Sequence, residues 1–344
     1  MGLKVAVVGA TGVVGTEMLR ILEQRSFPID ELLPFGSSRS VGRTVRFRGD
    51  EVPIQGLAPD VLEGADLSFS AAGASVARSF VREAARAGTV CIDKSSAFRM
   101  EPDVPLAIPE VNPEVLAGEP RIVAVPNCTT IVALMALAPL HRAAGLRSLV
   151  LSSYQAASGA GRGGVMELAE QTEKLHAHVE ELGHPDVETL PVGEVFGRTI
   201  AFNILPKIDR FDDAGSTGEE VKTVEESRKI LALEDLDVAA TCVRVPVPVG
   251  HSVSLHARFS SPIDPGEARA ILSDAPGVEV RDDPANGIYP TPLDAAGRDE
   301  VLVGRVRGVP GHDDTLQLFA CGDNLRKGAA LNGIQIAESL FSTG

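Results

Sequence analysis

The sequence predicts an α/β protein of two domains: a doubly wound domain on a parallel sheet, and an α+β domain with a largely antiparallel sheet. Three observations predict it. Short, nearly continuous apolar runs alternate with helical stretches through the first third. A glycine-rich turn follows the first of those runs. From about Ser148 the texture changes to longer, alternating strands.

The first run, Leu3 to Val8, has the pattern of a strand covered on both faces and stops at Gly9. Met18, Leu19 and Leu22 then recur at helical spacing. Further strands are expected at 31–35, 66–70, 90–93 and 122–125, with a helix over 77–87. Pro34 removes a ladder donor, which places it at a strand end or edge. The second domain shows strand patterns at 241–247, 253–259, 301–306 and 316–320 and helical ones at 164–182 and 218–231. Residues 324–341 return to helical periodicity through Leu331, Ile334, Ala337, Glu338 and Phe341, a segment expected to pack back on the first domain. The domains are therefore expected at 1–129 with 322–344, and at 130–321.

The 344 residues, 44% hydrophobic, suffice for two cores. The longest apolar stretch, 129–140, contains Pro139 and is followed by His141 and Arg142, well short of a bilayer span. A net charge of −15 opposes binding to nucleic acid or anionic lipid, while a local basic pocket for small anions stays compatible with it. Cysteines 91, 128, 242 and 321 have no short paired spacing, which points to free thiols in a reducing compartment. The chain passes from Met1 into a short apolar run and glycines without a leader pattern, so a cytoplasmic location is expected. His176 and His178, two apart on a predicted helix, point to different faces. With His184 they read as solvated surface, and no metal is expected.

Gly9, Gly12 and Gly15 form GxxGxxG directly after a strand and at the start of a helix. Glycine there lets the backbone approach a pyrophosphate, whose charge the helix N-terminus favours. This is the pattern of a Rossmann-type nucleotide site. NAD sites usually carry Asp or Glu at the end of the second strand, but Gly36-Ser37-Ser38-Arg39-Ser40 stands there. Arg39 and the serine hydroxyls suit the 2′-phosphate of NADP.

Cys128 follows a strand and Pro126-Asn127 and leads into a helical run, so it lies in or beside a helix's first turn. Backbone N–H groups and the positive dipole end there lower a thiol pKa from its usual value of about 8.5. A thiolate beside a nicotinamide suggests attack on an aldehyde, hydride loss to NADP⁺ and an enzyme thioester, which a second nucleophile must release. Cys91, Cys242 and Cys321 lie in strand-like runs and read as buried structural residues. Glu220 suits a capping box with Thr217.

With GATGVVG at 9–15, SSAFRMEPDVPLAIPEVN at 95–112, PNCTT at 126–130, YQAASGAG at 154–161, TCVRVPVPVGHS at 241–252 and GDNLRKGAALN at 322–332, the chain closely resembles aspartate-semialdehyde dehydrogenases, essentially end to end. The resemblance implies interconversion of L-aspartate 4-semialdehyde, phosphate and NADP⁺ with L-4-aspartyl phosphate and NADPH, on the biosynthetic route to lysine, threonine and methionine. It also implies a homodimer joined through the second domain.

By matched motifs it implies Cys128 as nucleophile, Gln155 as substrate-positioning residue and His251 as general acid/base. Arg244 would hold the substrate carboxylate and Glu219 the amino group, with Arg99, Asn127 and Lys222 around phosphate. Gly9, Thr11, Gly12, Val13, Val14, Arg39, Ser40, Ser158, Gly159 and Asn324 would contact NADP. The nearest rival, an N-acetyl-glutamyl-phosphate reductase, takes a substrate without a free amino group, against which Glu219 argues. A nucleotide-binding sensor has no need of the thiol or of the Arg244 and His251 pair.

Overall fold

The computed structural model describes residues 2–57, 62 and 64–341. In chain order its elements are β1 (Leu3–Val8), α1 (Val13–Gln24), β2 (Ile29–Gly36), β3 (Thr44–Phe47), β4 (Asp50–Pro53), β5 (Gln55–Gly56), β6 (Leu67–Ser70), α2 (Ala74–Arg86), β7 (Val90–Asp93), β8 (Ile122–Ala124) and α3 (Cys128–Ala144). They continue with β9 (Leu146–Gln155), α4 (Gly161–Leu175), α5 (Gly218–Leu231), β10 (Asp237–Arg244), β11 (His251–Phe259), α6 (Pro265–Ser273), β12 (Val278–Val280), α7 (Pro292–Ala295), β13 (Val301–Val309), β14 (His312–Gly322) and α8 (Leu331–Phe341). The chain falls into two compact units, one of Met1–Ala138, Glu225–Asp235 and Leu325–Gly344, the other of Pro139–Val224 and Leu236–Asn324.

Unit 1 is built on a six-stranded sheet in the order β5-β2-β1-β6-β7-β8, with every pairing parallel. β6 and β7 are buried along their whole length, Ser68, Ser70 and Asp93 included, as strands covered on both faces are. The chain goes from β1 to one side for β2 and then to the other for β6, so the topological switch point lies at the carboxyl end of β1. Pro34 lies two residues before the end of β2. It pairs with Val7 of β1, while β5 joins β2 only at Phe35 and Gly36, so the ladder on the far side is missing at the proline.

The C-terminal segment lies within unit 1. It enters through a π-helical turn, Arg326–Ala330, before α8. Fully buried Lys327 donates from Nζ to Glu110, Asn332 and Gln335 at 2.5, 3.0 and 2.7 Å. Arg25 forks onto Glu338, and Arg326 onto Glu17 and Gln24.

Unit 2 carries a second six-stranded sheet, β10-β9-β11-β14-β13-β12. Its three central pairings are antiparallel and the two outer ones, β10 with β9 and β12 with β13, are parallel. The helix expected over 164–182 stops being α-helical at Leu175 and continues as a 3₁₀ segment, His176–Gly183, with a kink at His178. No residue of that segment is buried, so no packed face holds it in α geometry. The capping box at the start of α5 is formed: Thr217 N–H donates to Glu220 Oε2 at 2.7 Å and Glu220 N–H to Thr217 Oγ1 at 3.4 Å. Glu220 also accepts from the Cys242 amide, at 2.9 Å.

Candidate active site

In unit 1 the glycine turn occupies the switch point. Gly9 has φ +86°, and a Cβ there would meet the Ala71 backbone at 3.0 Å. A Cβ on Gly15 would fall 2.2 Å from the Gly9 carbonyl oxygen, so a side chain at 15 would force α1 away from the strand. Gly12 is the N-cap of α1 and supplies no side-chain cap, leaving the first-turn N–H groups of the helix for an external acceptor. Thr11 is exposed and its hydroxyl lies 3.3 Å from that of Ser40, which follows the carboxyl end of β2. Arg39 is exposed beside Ser40, and Val13 and Val14 are half-buried at the helix start. This constellation fits a dinucleotide: an uncapped helix terminus for the pyrophosphate and, next to it, hydroxyls and a guanidinium for a further phosphate.

Cys128 is the first residue of α3 and is half-exposed. Asn127 caps the helix, its Oδ1 accepting from the Thr129 amide at 2.8 Å, and its backbone N–H donates to Glu226 Oε2 at 2.6 Å. From Thr129 to Ala138 every residue of the helix is buried, which fixes the position of its first turn. The thiol thus sits where the dipole favours an anion. The other three cysteines are buried, and burial pushes each of their thiols up to about 12. Arg99 is buried in the same unit, donating to Glu226 from Nη1 and to the Lys94 carbonyl from Nη2, each at 2.9 Å.

In unit 2 the strand ends gather the remaining residues. Gln155 ends β9 and Arg244 ends β10, and the two are register partners. Gln155 Nε2 donates to Glu219 Oε1 at 2.7 Å, and Arg244 Nη1 donates to the Ala156 carbonyl at 2.7 Å. His251 begins β11, is fully buried, and accepts at Nδ1 from the Ala156 N–H at 3.0 Å. That bond needs the Nδ1 lone pair, so the neutral ring carries its proton on Nε2. Gly159 lies against both groups: a Cβ there would be 2.6 Å from Arg244 Nη1 and 3.2 Å from His251 Nε2. Lys222 pairs with Glu219 at 3.6 Å and more closely with Asp209, at 2.7 Å. The Lys222 hydrogen bond holds the Asp209 carboxyl below the usual range. Asn324 accepts from Gly250 N–H at 2.9 Å and donates to Ser158 Oγ at 2.9 Å, so it steadies the turn that leads into His251.

Asp209, Glu226 and Lys229 are absent from the sequence-based assignment of the site. Lys229 donates to the carbonyls of Arg99, Glu101 and Val104 at 2.7, 2.8 and 3.0 Å, and burial lowers its pKa. Among the described residues no cluster of three His, Cys, Asp or Glu side chains suits a metal ion, and no helix is long and apolar enough to cross a membrane.

Residues 4–119 match the family model described as semialdehyde dehydrogenase, NAD binding domain, and residues 137–327 the one described as semialdehyde dehydrogenase, dimerisation domain. The fold and these matches define a semialdehyde dehydrogenase-type protein. The aspartate-semialdehyde dehydrogenase of Aquifex aeolicus (strain VF5) is 45% identical over 347 residues, covering 100% of this chain and 99% of the relative. That of Streptomyces akiyoshiensis is 47% identical over 340 residues, covering 98% of each. A crystal structure of aspartate semialdehyde dehydrogenase II from Vibrio cholerae superposes with a TM-score of 0.93 at 41% identity, covering 100% of this chain and 99% of that one. The chain belongs to the aspartate-semialdehyde dehydrogenase family.

Proposed function

We propose that the protein is an NADP-dependent, phosphorylating aspartate-semialdehyde dehydrogenase that works through a thioester on Cys128. The observation that carries this reading is a half-exposed thiol at the first position of a buried helix, in a chain whose other three thiols are buried. The names of full-length relatives, and a solved Vibrio cholerae relative described as complexed with ASA, support the substrate. Arg39, Ser40 and Thr11 beside the uncapped α1 support NADP.

In this reading the Cys128 thiolate attacks the aldehyde carbon, and the carbonyl electron pair moves onto oxygen. His251 hydrogen-bonds that oxygen through its Nε2 proton as the hemithioacetal forms, and keeps that proton as the hydride leaves and the C=O of the thioester re-forms, the two sides of its acid/base role. Arg244 holds the substrate carboxylate by its fork, Glu219 holds the ammonium, and Gln155, oriented by Glu219, positions the substrate. When bound, NADP⁺ accepts the hydride from the reacting carbon. Phosphate, held by Arg99, Asn127 and Lys222, then attacks the thioester carbon, and the C–S bond breaks to return the thiolate and release L-4-aspartyl phosphate. In the biosynthetic direction the same steps run in reverse, towards lysine, threonine and methionine. The proposed working form is a cytoplasmic homodimer joined through unit 2, as the description of the model matched at 137–327 suggests.

The test is NADPH formation by the purified protein with L-aspartate 4-semialdehyde, compared with N-acetyl-L-glutamate 5-semialdehyde and with NAD⁺ in place of NADP⁺. Preference for the free amino acid and for NADP⁺ supports the reading. Preference for the acetylated substrate removes the assigned role of Glu219.

A further inference from the structure

Glu226 is 1% exposed, and its carboxylate takes two donors from elsewhere in unit 1. Oε1 accepts from Arg99 Nη1 at 2.9 Å and Oε2 from the Asn127 N–H at 2.6 Å. Arg99 is itself 7% exposed. Its Nη2 is held by the Lys94 carbonyl, and its Nε is a buried donor with no hydrogen-bond partner among the described residues. A guanidinium is planar, so fixing both terminal nitrogens fixes the direction in which Nε–H points. The same carboxylate grips the backbone of the residue immediately before Cys128. Three residues further along α5, Lys229 ties down the carbonyls of the loop that carries Arg99.

We propose that Glu226 is a positioning residue for phosphate capture. One buried carboxylate holds the Arg99 guanidinium and, through its backbone N–H, Asn127 at a fixed separation, so that an incoming phosphate meets Arg99 Nε–H and the Asn127 side-chain amide as a preformed pair next to the nucleophile. The inference rests on the assignment of Arg99 and Asn127 to phosphate above. A neutral amide cannot replace the carboxylate. Its single carbonyl oxygen serves one donor well, and its NH₂ group then faces the other N–H.

The experiment compares wild type and Glu226→Gln in three measurements: calorimetric titration with inorganic phosphate, KM for phosphate, and the pre-steady-state burst of NADPH with L-aspartate 4-semialdehyde and NADP⁺ when phosphate is omitted. The proposal predicts that the phosphate dissociation constant and KM both rise by roughly tenfold or more, while the burst rate stays within about threefold of wild type. Phosphate affinity within about twofold of wild type overturns it. So does a burst that falls in step with phosphate affinity, because the carboxylate then serves the thiol or the fold. If Glu226→Gln does not fold, Glu226→Asp is measured instead. It keeps the charge but is too short to hold both donors, so the same split is expected, and failure of both variants to fold contradicts the proposal. A wild-type protein that gives no burst refutes the functional reading, while the phosphate titrations still decide the role of Glu226.

Discussion

Gln155 donates to Glu219 at 2.7 Å, joining the last residue of β9 to the first turn of α5 through two buried side chains. The bond turns the amide nitrogen of Gln155 toward the carboxylate and thereby orients the whole amide. Glu219 also pairs with Lys222, which is drawn more closely to Asp209. The residues assigned to the substrate's amino group, to its positioning and to phosphate are therefore linked, and replacing one will disturb the others.

The four thiols should react in two classes. Cys128 is half-exposed at a helix start, whereas Cys91, Cys242 and Cys321 are buried with pKa values pushed up to about 12. Iodoacetamide at pH 8 should label one cysteine of the folded protein rapidly, found at Cys128 by peptide mapping, and all four only after denaturation. Fast labelling of any other cysteine would show that burial does not govern thiol reactivity here.

Gly159→Ala should damage catalysis without damaging the fold. The added Cβ would overlap Arg244 Nη1 and crowd His251 Nε2, both side-chain atoms, while Gly159 itself is exposed. Displacing a substrate-binding fork by an ångström predicts a loss of about 10²-fold in kcat/KM for the semialdehyde. The thermal midpoint should stay within a few degrees of wild type, and a variant that unfolds early would refute this separation.

Acid should weaken the junction between α3 and β9. Burial, with the Arg142 charge second, lowers the His141 pKa, and Nδ1 accepts from the Leu146 N–H at 3.0 Å, which requires the neutral ring. Because the folded pKa lies below the unfolded one, this contribution is complete above pH ~6.5 and is lost as pH falls through the folded value. His141→Gln keeps an acceptor that does not titrate. Calorimetric midpoints between pH 7 and pH 5 should therefore fall more steeply for wild type than for the variant, and equal slopes would exclude His141 as the source.

Sequence patterning carried far where the chemistry is local. Gly9, Gly12 and Gly15 sit in one turn, Cys128 is placed by the strand and helix on either side of it, and the Thr217–Glu220 capping box spans three residues. Asp209, Glu226 and Lys229 were not legible for the opposite reason. In the run GEEVKTVEESRKIL charged residues alternate on an amphipathic helix and read as a solvated face. Only tertiary folding shows that Glu226 is buried against Arg99, 127 residues away, and that Lys229 is consumed by three loop carbonyls. The turn at Arg326–Ala330 is similar: its periodicity reads as helix, while the widening into a π-turn accompanies a buried Lys327 that bonds Glu110 at a sequence distance of 217.

The measurement that tests the central claim most directly is a single-turnover reaction without phosphate. Protein is mixed with L-aspartate 4-semialdehyde and NADP⁺, NADPH is followed by its absorbance, and the quenched protein is weighed by mass spectrometry. A thioester on Cys128 predicts one NADPH per active site, a matching mass gain on the Cys128 peptide, and continued turnover once phosphate is added. Sustained NADPH formation without phosphate, or a burst that survives in Cys128→Ser, would contradict it.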